Sequence, residues 1–564
     1  MRIEAKHSIR KLKRGTLSAR LPLLRLQVTR LLVTSFLVVF FQFTCSLQSF
    51  AASYPKDVTA AITLAGSNRK ELSKVLEHYA AHPGDSLKYR AACFLLAGMP
   101  AHESRSYYWT DSLNKVITFN EFDYPDFAAA VVEFNKIALR AKPNHVTVKK
   151  SDCVSITSEY LIKNIDEAFE LKQKPWARNL TFDQFCEYLL PYRFMDETFT
   201  EWRGSFQKEY ARFIPMLQGK SVRQVCVLVC DSLKKGFYNT WVTNPEKVEP
   251  AFLSPAQLLF RKQGACEDIA NWGGYIFRSF GIATNIDYTP AWATSTGSHY
   301  WNVTLDERGN AIPFVMCSAD SPNRYYLHRE PSKVLRIIYS INKETISQRI
   351  PKAEIPEGFL QFSNYLDVTR DYWKVFDLKV KLDSIPSTES KSANNIATIA
   401  FDKAISTDNM KIQIAYVAVL NGLAWRPIWW SEITKGGATT FTDLSCGAVY
   451  LPMLYQHGTL SPAAVPQLLR KDGSVQVLTP YMTRRRTVSL AQQEGYLIFR
   501  PGKRYALYCW QGGWKQLGVK TAVDANPLVF SGVPSNALLL LVPEYSLGKE
   551  RPFTIDEQGL REWW

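Results

Sequence analysis

The reading of this chain turns on Gly264–Asn285, GACEDIANWGGYIFRSFGIATN, and on the nearby Gly297–Leu305, GSHYWNVTL. Gly264 supports a sharp turn. Cys266 then opens a helix whose apolar face carries Ile269, Ala270, Ile276, Phe277 and Phe280. Gly281 follows the last helical residues as a C-cap. A thiol at a helix N-terminus faces the positive end of the dipole, which lowers its pKa and favours the thiolate. His299 opens the following strand. A helix-opening Cys with a strand-borne His is the pairing that activates a thiol nucleophile, the imidazole taking its proton. The other histidines beyond residue 51 are His78, His82, His102, His145, His328 and His457. None combines strand context with a position shortly after a helix-opening Cys. Taken by spacing alone, a buried thiol and a satisfied core histidine account for the two residues as well.

The flanks assign an α+β multidomain organisation. Residues 52–250 read as a helical N-terminal region. Leu72, Val75, Leu76 and Tyr79 follow helical spacing, Asn68 with Glu71 predicts a capping box, and Pro83-Gly84 ends that helix. Further helices are expected over Ser86–Ala97, Ser158–Leu171, after Thr181 and around Val222–Lys235. Residues 251–382 form the α+β core: a helix over Ala265–Phe280, then strands over Ala283–Tyr288, His299–Leu305 and Ala311–Cys317. Asp383–Asn395, DSIPSTESKSANN, reads as a linker. Two β-sandwich domains are expected beyond it, 396–480 and 481–564, from short apolar runs between Gly/Pro/Asp turns. Trp425, Trp429, Trp430, Trp510, Trp514, Trp563 and Trp564 lie in this half. They either stack on sugar rings or fill sandwich cores.

Composition excludes several classes. Half of the net charge of +16 sits in residues 1–30, which hold nine Lys/Arg and one acid. The remainder shows no basic stripe with interleaved aromatics, so nucleic acid is not an expected partner. The basic start runs into a 13-residue apolar stretch, Leu31–Phe43, with Ser49 and Ala51 after it. This is the pattern of a signal peptide over 1–51, and it predicts export to the periplasm or beyond. Cys45 suggests a lipoprotein only weakly, because Phe43 and Thr44 suit a lipidation site poorly. No later run reaches membrane-helix length, so no stable span is expected after cleavage. Ten cysteines are present. There is no CxxC, no His/Cys pair follows Cys226 and Cys230 at ligand spacing, and no EF-hand loop occurs. No metal or other cofactor is expected.

The segment carries a further pattern: G-x-C-x-D, then R-x-x-G-I, then H-x-W-N. This chain supplies Gly264, Cys266, Asp268, Arg278, Gly281, Ile282, His299, Trp301 and Asn302. In these residues it resembles the transglutaminase-like superfamily, a papain-like cysteine fold. AGSNRKELSKVLEHY, DSLKYRAACFLLAGMP, FCEYLLPYR, IDYTPAWA and RPFTIDEQGLREWW also look like segments of large secreted transglutaminase-like proteins of Gram-negative bacteria. The resemblance implies a cysteine hydrolase or acyltransferase. Cys266 would attack an amide of a peptide or glycopeptide to form a thioester, and His299 would shuttle the proton. Hydrolysis is favoured over crosslinking.

One departure matters. In the superfamily a carboxylate on the next strand orients the His, and its pattern places Asp where this chain has Val315. Asp320 is taken as the third member, with Asp287 on the preceding strand as another candidate. Asn302 has the wrong strand parity. Gln263 is a weak oxyanion candidate, and Asp268 reads as a helix-dipole partner. The alternative to an enzyme is a catalytically degenerate scaffold that binds carbohydrate or protein.

Overall fold

The computed structural model describes residues 54–240, 251–317, 327, 329–382, 413–493 and 497–564. The expected signal peptide, the linker Asp383–Asn395 and Asp320 lie outside the described residues.

The chain begins with α1 (Lys56–Leu64), α2 (Arg69–Ala80) and α3 (Ser86–Gly98). Leu72, Val75, Leu76 and Tyr79 of α2 are buried, as their spacing requires. The start of α2 differs from expectation. The Asn68 side chain makes no cap bond. Its Nδ2 donates to the carbonyls of Cys153 (3.0 Å) and Ile156 (2.9 Å). Glu71 accepts from the Ser158 amide and hydroxyl at 2.9 and 2.7 Å. Both residues of the expected capping box thus tie α2 to a segment some 85 positions away.

The region after α3 also departs from a purely helical reading. β1 (Glu103–Thr110), β2 (Val116–Ile117) and β3 (Asn144–Ser151) form an antiparallel sheet in the order β2-β1-β3, with α4 (Phe127–Ala141) between β2 and β3. ESRSYYWT and NHVTVKKS are rich in aromatic and β-branched residues, which suit a pleated surface. Helices resume with α5 (Ser158–Lys172), α6 (Phe182–Tyr188), α7 (Arg203–Glu209), α8 (Ile214–Leu217) and α9 (Val222–Ser232). Full capping boxes start α6 at Thr181/Gln184 and α9 at Ser221/Gln224.

The central unit follows. Short strands β4 (Tyr238–Asn239) and β5 (Gln263–Gly264) pair in parallel, with α10 (Pro255–Arg261) before β5. Next come α11 (Cys266–Ser279), β6 (Thr284–Thr289), β7 (His299–Leu305), β8 (Ala311–Phe314), β9 (Leu335–Ile337), β10 (Tyr365–Asp367) and α12 (Thr369–Tyr372). The antiparallel sheet runs β10-β9-β6-β7-β8. α11 lies on the face that carries Ile286, Asn302, Ile312 and Phe314, and its Ile269, Trp272, Ile276 and Phe277 share one core with them. Asn302 Nδ2 donates to the Ala270 carbonyl at 2.7 Å. Gly273 makes this approach possible, since a Cβ there would lie 2.6 Å from Asn302 Oδ1. The opposite sheet face packs Trp301 with Trp292, Leu327 and Val334.

The first strand of the next unit precedes the linker, where the sequence reading had ended the core. β11 (Val375–Lys381) pairs with β14 (Ala438–Ser445), across the sequence gap. Between them run β12 (Ile414–Asn421) and β13 (Ala424–Glu432). β15 (Ala448–Gln456), β16 (Thr459–Pro462), β17 (Gln467–Leu469) and β18 (Val475–Val477) follow. The larger sheet has the order β13-β12-β15-β17-β18, with β16 on β15. Leu378, Val380, Phe441 and Leu444 of the β11–β14 pair share a core with Val417, Val419 and Tyr450 of the larger sheet.

The C-terminal unit contains β19 (Tyr481–Leu490), β20 (Arg504–Trp510), β21 (Trp514–Thr521), β22 (Leu528–Ser535), β23 (Leu539–Pro543), β24 (Pro552–Ile555) and β25 (Arg561–Trp563). β19 pairs with β22, and the other sheet runs β21-β20-β23-β24-β25. The molecule therefore mixes helices with several separate sheets. Among the described residues no helix is long and apolar enough to cross a membrane.

Candidate functional site

A turn built from Gly264 and Asp268 places Cys266 at the first position of α11. Asp268 Oδ2 accepts the Ala265 amide at 3.0 Å, and Oδ1 accepts the Leu253 amide at 3.2 Å. A Cβ on Gly264 would lie 2.5 Å from Asp268 Oδ2, so the turn needs glycine. At the far end of the helix, buried Arg278 donates to the carbonyls of Tyr188, Thr284, Pro191 and Arg193 and to Asn285 Oδ1. These motif residues position α11. Trp272 is likewise core, its Nε1 donating to Tyr210 at 2.8 Å.

The thiol is not set up as a thiolate. Cys266 Sγ donates to Glu267 Oε2 at 3.2 Å. Burial pushes the thiol well above its usual range, and the Glu267 carboxylate adds to the shift. Backbone amides of Tyr300 and Glu267 point at the sulfur and pull the other way, but they are outweighed. The expectation that the helix dipole would lower this pKa is thus reversed: a partial charge at the helix end does not offset desolvation plus an adjacent carboxylate.

His299 lies on the other side of the strand. Tyr300 and Asn302 face α11, so alternation turns His299 and Trp301 to the opposite face. The imidazole stacks on Trp292 and Trp301, with ring centroids 6.1 and 5.8 Å away. Burial first, then the Arg329 charge, pushes its pKa down to about 4. Among the described residues no hydrogen bond joins the Cys266 sulfur to the His299 ring.

No described carboxylate orients His299. Val315 packs against the Trp292/Trp301 cluster, an apolar side chain on the face where the resemblance implies an acid. Asp287 is fully buried and engaged elsewhere. Its two oxygens accept from Arg336 Nε and Nη2, each at 2.8 Å, and Oδ2 also accepts from the Tyr372 hydroxyl at 2.6 Å. Trp301 Nε1 donates to the same hydroxyl at 3.1 Å. Asp287 thereby links β6, β9 and α12. Gln263 lies in β5, opposite Tyr238.

Sequence reasoning missed three features. Tyr300 sits between the motif His and Trp, and its side chain is close enough to Cys266, Glu267 and Asp196 to feel their charges. Strand parity alone could have flagged it. Asn421, at the end of β12, anchors the loop before His299. Its Nδ2 donates to the carbonyls of Trp292 (3.2 Å), Ser295 (2.9 Å) and Gly297 (3.0 Å), and its Oδ1 accepts the Gly297 amide at 3.0 Å. The third is a cleft of about 1080 Å³, which Tyr300 lines. Asp196 and Arg105 enter it from the N-terminal region, Tyr288 from the sheet, and Trp425 and Tyr455 from the first β unit. Burial pushes Asp196 up to about 6, against the opposing pull of Arg105, its ion-pair partner at 2.8 Å.

All nine described cysteines are free thiols. No family model matches the chain, and no curated protein matches it.

Proposed function

We propose that this chain is an exported ligand-binding protein built on a transglutaminase-like core, its Cys–His pair disengaged and its ligand a carbohydrate or a protein. The observation that carries the reading is the separation of the pair by strand alternation: Cys266 meets the Tyr300 side of β7, while His299 is stacked between tryptophans on the other. An activated thiol needs a base to take its proton and a positive neighbour to hold the thiolate. Here the side-chain partner of the sulfur is a carboxylate, which opposes ionisation.

The test is the alkylation rate of Cys266 against pH, followed by mass spectrometry at that residue. The wild type is compared with His299→Ala. The binding reading expects an apparent pKa above the model thiol value of about 8.5 and no effect of His299. A value well below it, lost in His299→Ala, would restore the hydrolase reading.

That second reading retains one supporting observation. Cys266 opens a 14-residue helix, and Tyr300, whose backbone amide points at its sulfur, lines the cleft. In it the Cys266 sulfur attacks an amide carbon to form a thioester. His299 delivers the thiol proton to the leaving amine, and water then releases the acid. It requires the His299 ring to leave Trp292 and Trp301 and reach the Tyr300 side of the strand.

A further inference from the structure

On the face of the sheet that α11 packs against, beyond the stretch the helix covers, one side chain from each of four neighbouring strands lines the cleft: Tyr300 (β7), Tyr288 (β6), Ile337 (β9) and Tyr365 (β10), with Tyr288 and Tyr365 largely buried in the cleft floor. Tyr288 and Tyr300 are ladder partners, and their rings stack 5.1 Å apart at 7°. At about 4.8 Å per strand the row runs roughly 14 Å across the sheet. Phe359 and Phe362 flank it from the segment before β10, and Trp425 and Tyr455 line the same cleft from the β unit. Phe362 is 44% exposed.

The polar groups around the row favour neither sign of charge. Arg105 is neutralised by Asp196 at 2.8 Å, and Glu103 by Lys149 at 3.3 Å. Arg426 and Glu357 are the remaining charged side chains at the rim, one of each sign, with Ser298 and Asn364 as neutral donors and acceptors.

We infer that this cleft binds a neutral oligosaccharide, laid across the four strands with its rings stacked on the accessible aromatic side chains Tyr300, Phe362 and Trp425. The inference deepens the binding reading above and rests on it. Four features select this ligand. A peptide that joined a sheet would lie along an edge strand and exchange backbone hydrogen bonds with it. The aromatic row instead crosses the strands, where no ladder partner is offered. Flat aromatic faces with a few hydroxyl, amide and charged side chains around them match a pyranose, which has C–H faces and a hydroxyl edge. The balanced charge gives a polyanion no advantage. The volume, about 1080 Å³, lies just above the roughly 300–1,000 Å³ of small-molecule pockets, which suits several linked rings.

The experiment titrates the full chain calorimetrically with four neutral hexasaccharides: β-1,4-glucan, α-1,4-glucan, β-1,4-mannan and β-1,4-linked N-acetylglucosamine. A polygalacturonate oligomer and a pool of random decapeptides are run beside them. At least one neutral hexasaccharide should bind. Tyr300→Ala and Phe362→Ala should each weaken it about tenfold or more, Tyr300→Phe should keep it within about threefold, and the remote exposed Tyr481→Ala should leave it unchanged. Because Phe362 is exposed, its variant separates loss of binding from loss of fold.

The inference is overturned if no neutral hexasaccharide binds at millimolar concentration, or if binding ignores Phe362→Ala and Tyr300→Ala. It is also overturned if only the uronate or the peptides bind and depend on those rings. Failure of the parent reading looks different. An activated Cys266 would end the disengaged-pair proposal while sugar binding that depends on Phe362 persisted. An inert Cys266 with no sugar bound would remove the saccharide inference alone.

Discussion

Asp287→Asn separates a structural carboxylate from a catalytic one. Asp287 and Arg336 form a two-pronged pair at 2.8 and 2.8 Å, with side chains 0% and 8% exposed. Replacing the carboxylate by an amide of the same shape leaves the Arg336 charge buried without its counter-ion. Breaking one side of a buried pair costs about 3–5 kcal/mol. The amide oxygen can still accept from Tyr372, so the lower end, about 3 kcal/mol, is expected. For a cooperative unit of roughly 150–250 residues that is a fall in melting temperature of about 6–12 °C. Scanning calorimetry of the full chain reads it as a shift in the transition that contains the central sheet. Asp287→Leu combined with Arg336→Met should recover part of the loss, because it removes both charges. Two results would refute the reasoning. One is a melting temperature within about 2 °C of the wild type. The other is unchanged stability with a shifted His299 titration, which would make Asp287 the orienting acid of a catalytic pair.

Three further outcomes follow from the same structure. His102 is buried with its Nε2 2.7 Å from the Tyr339 carbonyl, and burial pushes its pKa down to about 4. Between about pH 6.5 and 4 the unfolded chain binds this proton more readily than the folded one. Stability is therefore complete above pH 6.5 and declines by up to about 3 kcal/mol as pH falls to 4, and the slope in urea melts should shrink in His102→Asn. Gly274→Ala should destabilise by about 1–3 kcal/mol despite the better helix propensity of alanine, since its Cβ would lie 2.7 Å from Phe194 Cε2; thermal melts check this. Asn421→Ala removes four hydrogen bonds to the loop before His299, at about 1 kcal/mol each, and should raise amide exchange at residues 292–298 more than elsewhere in the sheet.

The α11–β7 segment was legible because its signals are local. Apolar spacing, the glycines at both ends and the alternation from His299 to Leu305 predict a helix over Ala265–Phe280 and a strand over His299–Leu305, and the structure has them at Cys266–Ser279 and His299–Leu305. The β1–β3 sheet was missed because its strands are separated by a helix and most of their residues are exposed, so neither shows a clear buried stripe. Asn68 and Glu71 read as a local cap, but distant partners at Cys153, Ile156 and Ser158 claimed them. β11 was assigned to the core because its partner lies beyond the linker. For the site, parity already set Asn302 against His299. Which of the two faces α11 depends on tertiary packing: Asn302 bonds to Ala270. The cleft draws on residues from position 101 to 460, and no single window contains it.

The central claim is that the thiol and the imidazole are uncoupled, and the His299 titration tests it most directly. The measurement is the pH dependence of the His299 ring resonances by NMR, in the wild type and in Cys266→Ser. An uncoupled, buried imidazole should titrate near 4, unchanged in the variant. A value above the ordinary 6.5 that falls when the thiol is removed would mean a thiolate–imidazolium pair, and would contradict the account.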